Sequence, residues 1–293
     1  MTPLDANWLR AHPLPPIDTD TDKNKRGRLL IAGSSTLVPG ALLLSGEAGY
    51  RAGAGKVQLA VPGSIAPAVG VLMPEAAVFG LPQNGEGELG PDPERLTRLL
   101  DRCDCLVLGP GMGSDADAAS LLDAVLKHED ADGALLLDAA AIAICPDHAS
   151  ALCEWKGPLV LTPHPGEMAS LMGCEAEEVE PDMALHAAKK FQATVLLKGP
   201  NTLVASPDGT VLQYPGGGPG MATGGSGDVL AGMIGGLLSR GADAQTAAAW
   251  GVWAHGEAGR RLAAEQGPIG FLARELMPLV PGLIYGKDSP ASA

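Results

Sequence analysis

Aromatic residues are scarce in this chain, and positive charge is in deficit. Only 3% of the 293 residues are aromatic although 46% are hydrophobic, so a sizeable core must be built mainly from Leu, Val, Ile and Ala. Lys and Arg number 20 against 34 Asp and Glu, which gives a formal net charge of −14. A general electrostatic grip on nucleic acid or on an anionic membrane is therefore not expected. A phosphorylated small molecule stays compatible with this charge, because helix N-termini and a nearby Lys act on it locally.

Cysteine is sparse as well, and long apolar runs are missing. The five Cys are an odd number, and only Cys103 and Cys105 are closely spaced, with no second pair at the spacing of a zinc site. No apolar stretch is long enough to cross a bilayer, and the first residues contain no apolar targeting core. We therefore expect reduced thiols, no metal-ligating residues and a cytoplasmic protein.

Glycine and proline are abundant, with 40 and 25 residues, and they separate short apolar segments. Most of these segments lack polar alternation and precede a helical segment, which is typical of a parallel sheet covered on both faces. The strands are predicted at 28–32, 56–61, 105–108, 134–138, 159–162 and 194–198, with a hairpin at 203–214; helices are predicted up to 52, at 116–128, from 167, at 228–239, at 242–264 and near 270–279.

This pattern predicts an α/β fold with three α/β/α layers and a mainly parallel central sheet. One domain is expected over 25–285, preceded by an N-terminal arm at 1–24 and followed by a C-terminal tail at 286–293. In open α/β sheets, ligands bind beyond the carboxyl ends of the strands, so the loops that follow the predicted strands should converge on one site.

The most distinctive of these loops is the glycine-rich run Gly216-Gly-Gly-Pro-Gly-Met-Ala-Thr-Gly-Gly-Ser-Gly227, which leads into Asp228 and a helix. Glycines let backbone N–H groups approach a ligand, and the helix N-terminus adds partial positive charge. The loop is interpreted as an anion hole for a phosphoryl group. It is not a Walker A loop, because no Gly-Lys-Ser/Thr closes it. Asp228 has two interpretations that stay open here: a base that accepts a hydroxyl proton, or a helix cap.

The run Thr223-Gly-Gly-Ser-Gly-Asp-Val-Leu-Ala-Gly232 resembles the Gly-x-Gly-Asp anion-hole signature of the ribokinase-like superfamily. More narrowly, it is similar to the ADP/ATP-dependent NAD(P)H-hydrate dehydratases. The similarity covers roughly residues 25 to 280, and its ordered set of segments is highly specific. The other matching segments are 33–35 with 39–41, 50–55, 108–113, 161–167 and 197–202.

The resemblance implies a role for each matching position. The positions implied to contact the adenine nucleotide are Lys198, Gly199, Pro200, Asn201, Thr202 and Gly227. The positions implied to bind the hydrated cofactor are Ala41, Gly111, His164 and Asp228. Asp228 is also the position taken as general base in related kinases, and Lys23 matches a Lys that faces phosphates.

Several nearby polar residues have less definite roles. Glu167 is interpreted as a first-turn acid that stabilises its helix, in preference to holding a metal-bound water. His255 and Glu257 are interpreted as packing and surface residues. The family often has two acids in the segment that matches 137–140. Here Asp138 is present, but Ala140 occupies the second position, so any role of that second acid is in doubt.

The resemblance implies ADP-dependent dehydration of (6S)-NADHX and (6S)-NADPHX to NADH and NADPH, giving AMP and phosphate. It further implies ADP as co-substrate, Mg²⁺ as cofactor, a homo-oligomer, and a separate epimerase that acts on the same hydrate pool. The alternative within the same superfamily is a vitamin or sugar kinase, which would leave a stable phosphorylated product. A dehydrogenase with a Rossmann turn at 109–113 and a nucleotide sensor without activity are weaker alternatives.

Overall fold

The computed structural model describes residues 1–18, 20–128 and 132–292. Strands in this part of the chain form one sheet in the order β1-β10-β9-β8-β7-β6-β5-β2-β3-β4. They are β1 (Thr2–Pro3), β2 (Arg28–Ala32), β3 (Lys56–Pro62), β4 (Ala77–Leu81), β5 (Cys105–Leu108), β6 (Ala134–Leu137), β7 (Leu159–Leu161), β8 (Thr194–Leu197), β9 (Thr202–Ala205) and β10 (Val211–Tyr214).

Helices cover both faces of this sheet. They are α1 (Ala6–Ala11), α2 (Ala41–Arg51), α3 (Ala66–Leu72), α4 (Pro93–Leu100), α5 (Asp115–Leu126), α6 (Ala140–Ala143), α7 (Ala149–Cys153), α8 (Pro165–Met172), α9 (Met183–Phe191), α10 (Ser226–Ser239), α11 (Ala244–Gln266), α12 (Ala273–Leu276) and α13 (Val280–Tyr285). Short 3-10 turns lie at Cys145–His148, Ala176–Glu178, Pro219–Met221, Met277–Leu279 and Pro290–Ser292.

The sheet is parallel from β8 across to β4, and β9 is the antiparallel member, pairing with β8 and β10. Strand β2 lies between β3 and β5, so the strand order reverses direction there. Crevices open at such reversals beyond the carboxyl ends of the strands. The loops after β2 and β5 therefore flank a natural ligand site.

Alternating strand residues feed two hydrophobic cores, one on each face of the sheet. Leu29 and Ile31 of β2 pack in the core that contains α2, α10 and α11, whereas Leu30 and Ala32 pack in the core that contains α5, α8 and α9. Helices α2 and α10 pack so closely that a Cβ at Gly232 would collide with the Ser45 carbonyl. The result is a three-layer α/β/α architecture, as predicted.

The remaining predicted elements agree with the structure with a few differences. Strand β4 and the helices α1, α3, α4, α6, α7 and α9 were not predicted. Strand β4 is apolar but short and contains Gly80, and such a run does not by itself identify a strand. The single helix predicted near 270–279 is wrong: α12, a 3-10 turn and α13 replace it, since Pro278 and Pro281 lack the N–H that a continuous helix needs.

The N-terminal segment joins the sheet. Thr2 and Pro3 form β1, which pairs in parallel with Leu212 and Gln213 of β10. No helix in the described ranges is long and apolar enough to cross a membrane.

Candidate active site

Three polar side chains meet where β6, β7 and β8 end. Asp138 follows β6, Thr162 follows β7 and Lys198 follows β8. The Lys198 Nζ donates to Asp138 Oδ1 at 2.9 Å, and the Thr162 hydroxyl donates to the same oxygen at 2.6 Å. Asp138 is buried with 4% exposure, and burying an unpaired carboxylate would cost free energy. The two donors stabilise its charge. This cluster places a lysine ammonium at the carboxyl edge of the sheet.

A second carboxylate reaches Lys198 from the start of α8. Glu167 Oε2 lies 3.4 Å from Lys198 Nζ and accepts the backbone N–H of His164 at 2.7 Å. Burial works against the lysine charge, but the carboxylates of Asp138 and Glu167 outweigh it and raise the pKa of Lys198. Lys198 is therefore a charged ammonium held in place by two carboxylates. Glu167 does more than the helix-stabilising role expected of it, because it also orients this lysine.

Asp228 lies in the first turn of α10, between the glycine-rich loop and the Lys198 cluster. The helix follows Gly225, which has a φ of +87°, and its start has no side-chain capping hydrogen bond among the described residues. Burial raises the pKa of Asp228 to about 7; the negative charge of Asp138 adds to the rise and Lys198 opposes it. A carboxyl with this pKa changes its protonation state near neutral pH, which suits a general base.

The glycine-rich loop and the β8–β9 turn together enclose a cavity of about 840 Å³. Of the positions implied to bind the nucleotide, all but Asn201 line it: Lys198, Gly199, Pro200, Thr202 and Gly227. A Cβ at Gly227 would lie 3.9 Å from Lys198 Nζ, so the lysine and the start of α10 face each other closely. The cavity is thus apolar over most of its length and cationic at the end near Asp228.

His255 of α11 also lines this cavity. Its Nε2 lies 3.1 Å from the hydroxyl of Ser226, the first residue of α10. Burial lowers the pKa of His255 to about 4, against the raising effect of a hydrogen bond to the Ser226 backbone and with a smaller lowering effect of Lys198, so the ring is neutral. The sequence pattern predicted a packing role for His255. A His on an Ala-rich helix carries no signal of this contact, because Ser226 is 29 residues away.

Ala41, the first residue of α2, and Gly111, in the loop after β5, lie together. Gly111 has a φ of +69°, and a Cβ placed on it would lie only 2.6 Å from the Ala41 Cβ. Leu44, one turn after Ala41, contacts the Gly225 position. These two predicted hydrate-binding positions are therefore adjacent to each other and, through Leu44, close to the start of α10, in the region where the strand order reverses and a crevice is expected.

His164, the third position implied to bind the hydrate, lies elsewhere. It begins α8 as the N-cap, where its ring accepts the Glu167 N–H at 3.2 Å, and it lines the cavity that contains Lys198. Lys23 lies at the opposite edge of the sheet, since its carbonyl is beside Gly55 immediately before β3 begins. Ala140 is the first residue of α6 and brings no second acid to the Asp138 cluster.

Two properties bear on metals and redox state. In the described ranges, no group of three or more His, Cys, Asp and Glu is arranged to hold a metal ion. All five cysteines are free thiols, and burial raises the pKa of Cys103 and of Cys145 to about 12. Neither thiol is therefore activated.

Comparison with known proteins identifies the family of this chain. A family model described as NAD(P)H-hydrate dehydratase matches residues 28–281. The chain is 48% identical, over 95% of its length and 94% of the relative's, to the ADP-dependent (S)-NAD(P)H-hydrate dehydratase of Xanthomonas campestris. It is 38% identical to the bifunctional NAD(P)H-hydrate repair enzyme Nnr of Moorella thermoacetica over 97% of its length, but spans only 54% of that protein.

A solved structure is similar over nearly the whole chain. The ADP/ATP-dependent NAD(P)H-hydrate dehydratase of Bacillus subtilis, co-crystallized with ATP and Mg²⁺, has a TM-score of 0.79 at 29% identity and covers 96% of each chain. A ribokinase-like superfamily protein from Enterococcus faecalis has a TM-score of 0.81 at 27% identity, covering 100% of this chain and 97% of its own. The family model covers most of the chain and the Xanthomonas relative is 48% identical over nearly its full length, so this chain, with its ribokinase-like α/β/α fold, belongs to the NAD(P)H-hydrate dehydratase family.

Proposed function

We propose that this protein uses ADP to dehydrate (6S)-hydrated NADH and NADPH, restoring the reduced cofactor and releasing AMP and phosphate. The observation that carries the proposal is Asp228, a half-buried carboxyl with a pKa of about 7. It follows Gly227, which lines the nucleotide cavity, and it lies near Gly225, whose Cβ position Leu44 of α2 contacts. The name of the relative from Xanthomonas campestris, at 48% identity, supports ADP as the donor.

The nucleotide lies in the cavity formed by the glycine-rich loop and the β8–β9 turn. The apolar length of this cavity suits the adenosine, with Lys198, Gly199 and Thr202 on one wall and Gly227 at the end. The terminal phosphoryl then meets Lys198 and the N-terminus of α10. Both stabilise negative charge on that group, and they stabilise it more as charge develops during transfer.

The hydrated nicotinamide ring lies in the crevice beside Ala41 and Gly111, on the other side of Asp228. Asp228 accepts the hydroxyl proton as the hydroxyl oxygen attacks the terminal phosphorus of ADP. The bond between that phosphorus and the bridging oxygen breaks, and AMP leaves with the bridging oxygen. Phosphate then leaves from the ring carbon with the C–O electron pair, and a proton lost from the neighbouring carbon restores the ring double bond.

Mg²⁺ fits this site as a cation held mainly by phosphate. Asp138 and Glu167 are the carboxylates at the phosphate end, but both are bonded to Lys198, so protein groups alone do not form a cage. Mg²⁺ typically keeps several waters and binds through one or two carboxylates plus substrate phosphates. When bound, it would neutralise phosphate charge, with Glu167 the more exposed carboxylate to meet it.

Mass analysis of nucleotides tests the reaction directly. The enzyme is incubated with (6S)-hydrated NADH, ADP and Mg²⁺, with Asp228→Asn as the matched control. AMP, phosphate and NADH should form in equal amounts with the wild type only. A stable phosphorylated product would identify a kinase instead. Efficient use of ATP with ADP as product would overturn the donor assignment alone.

The wider setting is part of the same proposal. We infer a cytoplasmic homo-oligomer, with a separate epimerase that converts the opposite hydrate epimer. The free state of all five thiols is consistent with a reducing compartment. Sedimentation analysis measures the oligomeric state. With a mixture of both epimers, consumption should stop once the 6S form is used, and it should resume when an epimerase is added.

A further inference from the structure

The anion hole contains a side-chain donor that the roles described above leave unused. Ser226 is buried at 6% exposure, yet it lines the nucleotide cavity beside Gly227 and Lys198. Its hydroxyl has one side-chain partner in the described structure, the Nε2 of His255 at 3.1 Å. A hydroxyl has one donor hydrogen and two acceptor lone pairs, so this single contact leaves hydrogen-bonding capacity for a ligand.

The protonation of His255 decides whether the Ser226 hydroxyl hydrogen is available to a ligand. The imidazole is neutral, because burial lowers its pKa to about 4, so only one of its ring nitrogens carries a proton. If Nε2 carries that proton, it donates to the Ser226 oxygen, and the serine hydrogen is free to point at a phosphoryl oxygen. If Nε2 is bare, the serine hydrogen is directed at the ring and away from the ligand.

We propose that Ser226 donates its hydroxyl hydrogen to the terminal phosphoryl group of the nucleotide, and that His255 is the positioning residue that holds it by donating from Nε2–H. The proposal rests on the proposed function for the identity of the nucleotide. It adds a neutral donor pair to the charged donor Lys198. A neutral pair stabilises the transferring group without placing a second full charge beside Lys198.

The pair is arranged for this task. Ser226 is the first residue of α10, two residues before Asp228, so its side chain leaves the helix where the backbone N–H groups are unpaired within the helix. His255 reaches it from α11, which packs directly against α10. Two helices therefore fix one hydroxyl, and loss of either partner should affect the phosphate end of the cavity more than the adenosine end.

Paired titrations with ADP and AMP test the proposal without turnover. A hydrogen bond to a charged group contributes about 1.5–3 kcal/mol, so Ser226→Ala should weaken ADP binding by about 10-fold or more. AMP lacks the terminal phosphoryl, and its affinity should change by less than about 3-fold on the same basis. Ser239→Ala, the same substitution at the far end of α10, is the matched control and should leave both affinities unchanged.

His255 variants separate positioning from packing. His255→Leu should reproduce the loss seen in Ser226→Ala, and the double variant should lose no more than either single one, because the two residues act as a unit. His255→Gln keeps a donor and should restore ADP affinity to within about 3-fold of wild type. Should His255→Leu fail to fold, as shown by thermal unfolding, Ser226→Ala and His255→Gln carry the test.

Nitrogen-15 NMR spectra of the labelled His255 ring show which ring nitrogen carries the proton. A proton on Nε2 of His255 in the ADP complex is expected, and a proton on Nδ1 would overturn the assignment. Equal losses of ADP and AMP affinity in Ser226→Ala would also overturn it. If the wild type binds both nucleotides but forms no NADH, the proposed function fails while the ratio of ADP to AMP affinity still decides the role of Ser226.

Discussion

Replacing Asp228 with Asn should stabilise the folded protein at alkaline pH while nearly abolishing turnover. The pKa of this carboxyl rises from 3.8 to about 7 on folding, chiefly because of burial. At a pH well below 3.8, the pKa of Asp228 in the unfolded chain, the carboxyl is neutral in both the folded and the unfolded state. As pH rises from the unfolded to the folded value, the unfolded chain ionises first and stability is lost; above the folded value the loss is constant. At about 1.4 kcal/mol for each pKa unit, the full loss is about 4 kcal/mol.

The neutral amide of the Asp228→Asn variant carries no such penalty, so the stability difference between variant and wild type should depend on pH. Between about pH 5 and pH 8 the variant's advantage should grow by about 2–3 kcal/mol, since part of the loss has already occurred at pH 5. Urea unfolding at several pH values measures it. Turnover should fall by about 10²–10⁴, because an amide cannot accept the proton, whereas nucleotide binding should survive.

Asp288→Asn supplies a matched control of opposite sign. A hydrogen bond from Arg261 lowers the pKa of Asp288, so its contribution to stability is present above the unfolded value and is lost only as pH falls through the folded one. The effect of that substitution should therefore be flat over the same pH range. An equally flat profile for Asp228→Asn, or turnover within a few-fold of wild type, would refute the assignment of Asp228 as a base with a raised pKa.

Three further predictions concern the same cluster. The kcat/KM for the hydrate should rise with pH through about 7, because the free enzyme must hold Asp228 deprotonated; a flat profile there would argue against it. Lys198→Ala should weaken ADP binding more than hydrate binding in calorimetric titrations, and the reverse order would exchange the two subsites. Thr162→Val leaves Asp138 with one donor fewer and should cost about 1–3 kcal/mol in urea unfolding, whereas Thr162→Ser should cost little.

The sequence predicted the strands of the sheet well because burial on both faces leaves a short, continuous apolar run. Strands β2 and β5 lie at the predicted positions for that reason. Strand β4 was missed although Ala77–Leu81 is apolar, because a short apolar run that contains a glycine does not by itself distinguish a strand from another buried segment. The loop that follows β4 nevertheless reaches the site, because Gly87 accepts the Thr36 N–H and Glu88 accepts the Gly113 N–H.

The candidate site divides in the same way. Gly227 and Asp228 are adjacent in the chain, so a motif could identify them together. Lys198 and Asp138 are 60 residues apart, and only the side-by-side pairing of β6, β7 and β8 makes them neighbours. Local patterns contain no information about such a pair. The raised pKa of Asp228 has the same origin, since it depends on burial and on a charge from a distant strand.

Gly111→Ala should separate the two subsites. Gly111 has a φ of +69°, and an added Cβ would lie 2.6 Å from the Ala41 Cβ and 3.1 Å from the Ser34 Cα, so backbone must shift at the start of α2. Left-handed backbone at a non-glycine residue costs about 1–3 kcal/mol, and the added contact raises this. We expect a raised KM for the hydrate with ADP affinity unchanged, because neither Ala41 nor Gly111 lines the nucleotide cavity. Gly40→Ala, where nothing lies within 4 Å of the new Cβ, is the neighbouring control. A loss of ADP affinity as large as that for the hydrate would show that the Ala41–Gly111 crevice is not a separate subsite.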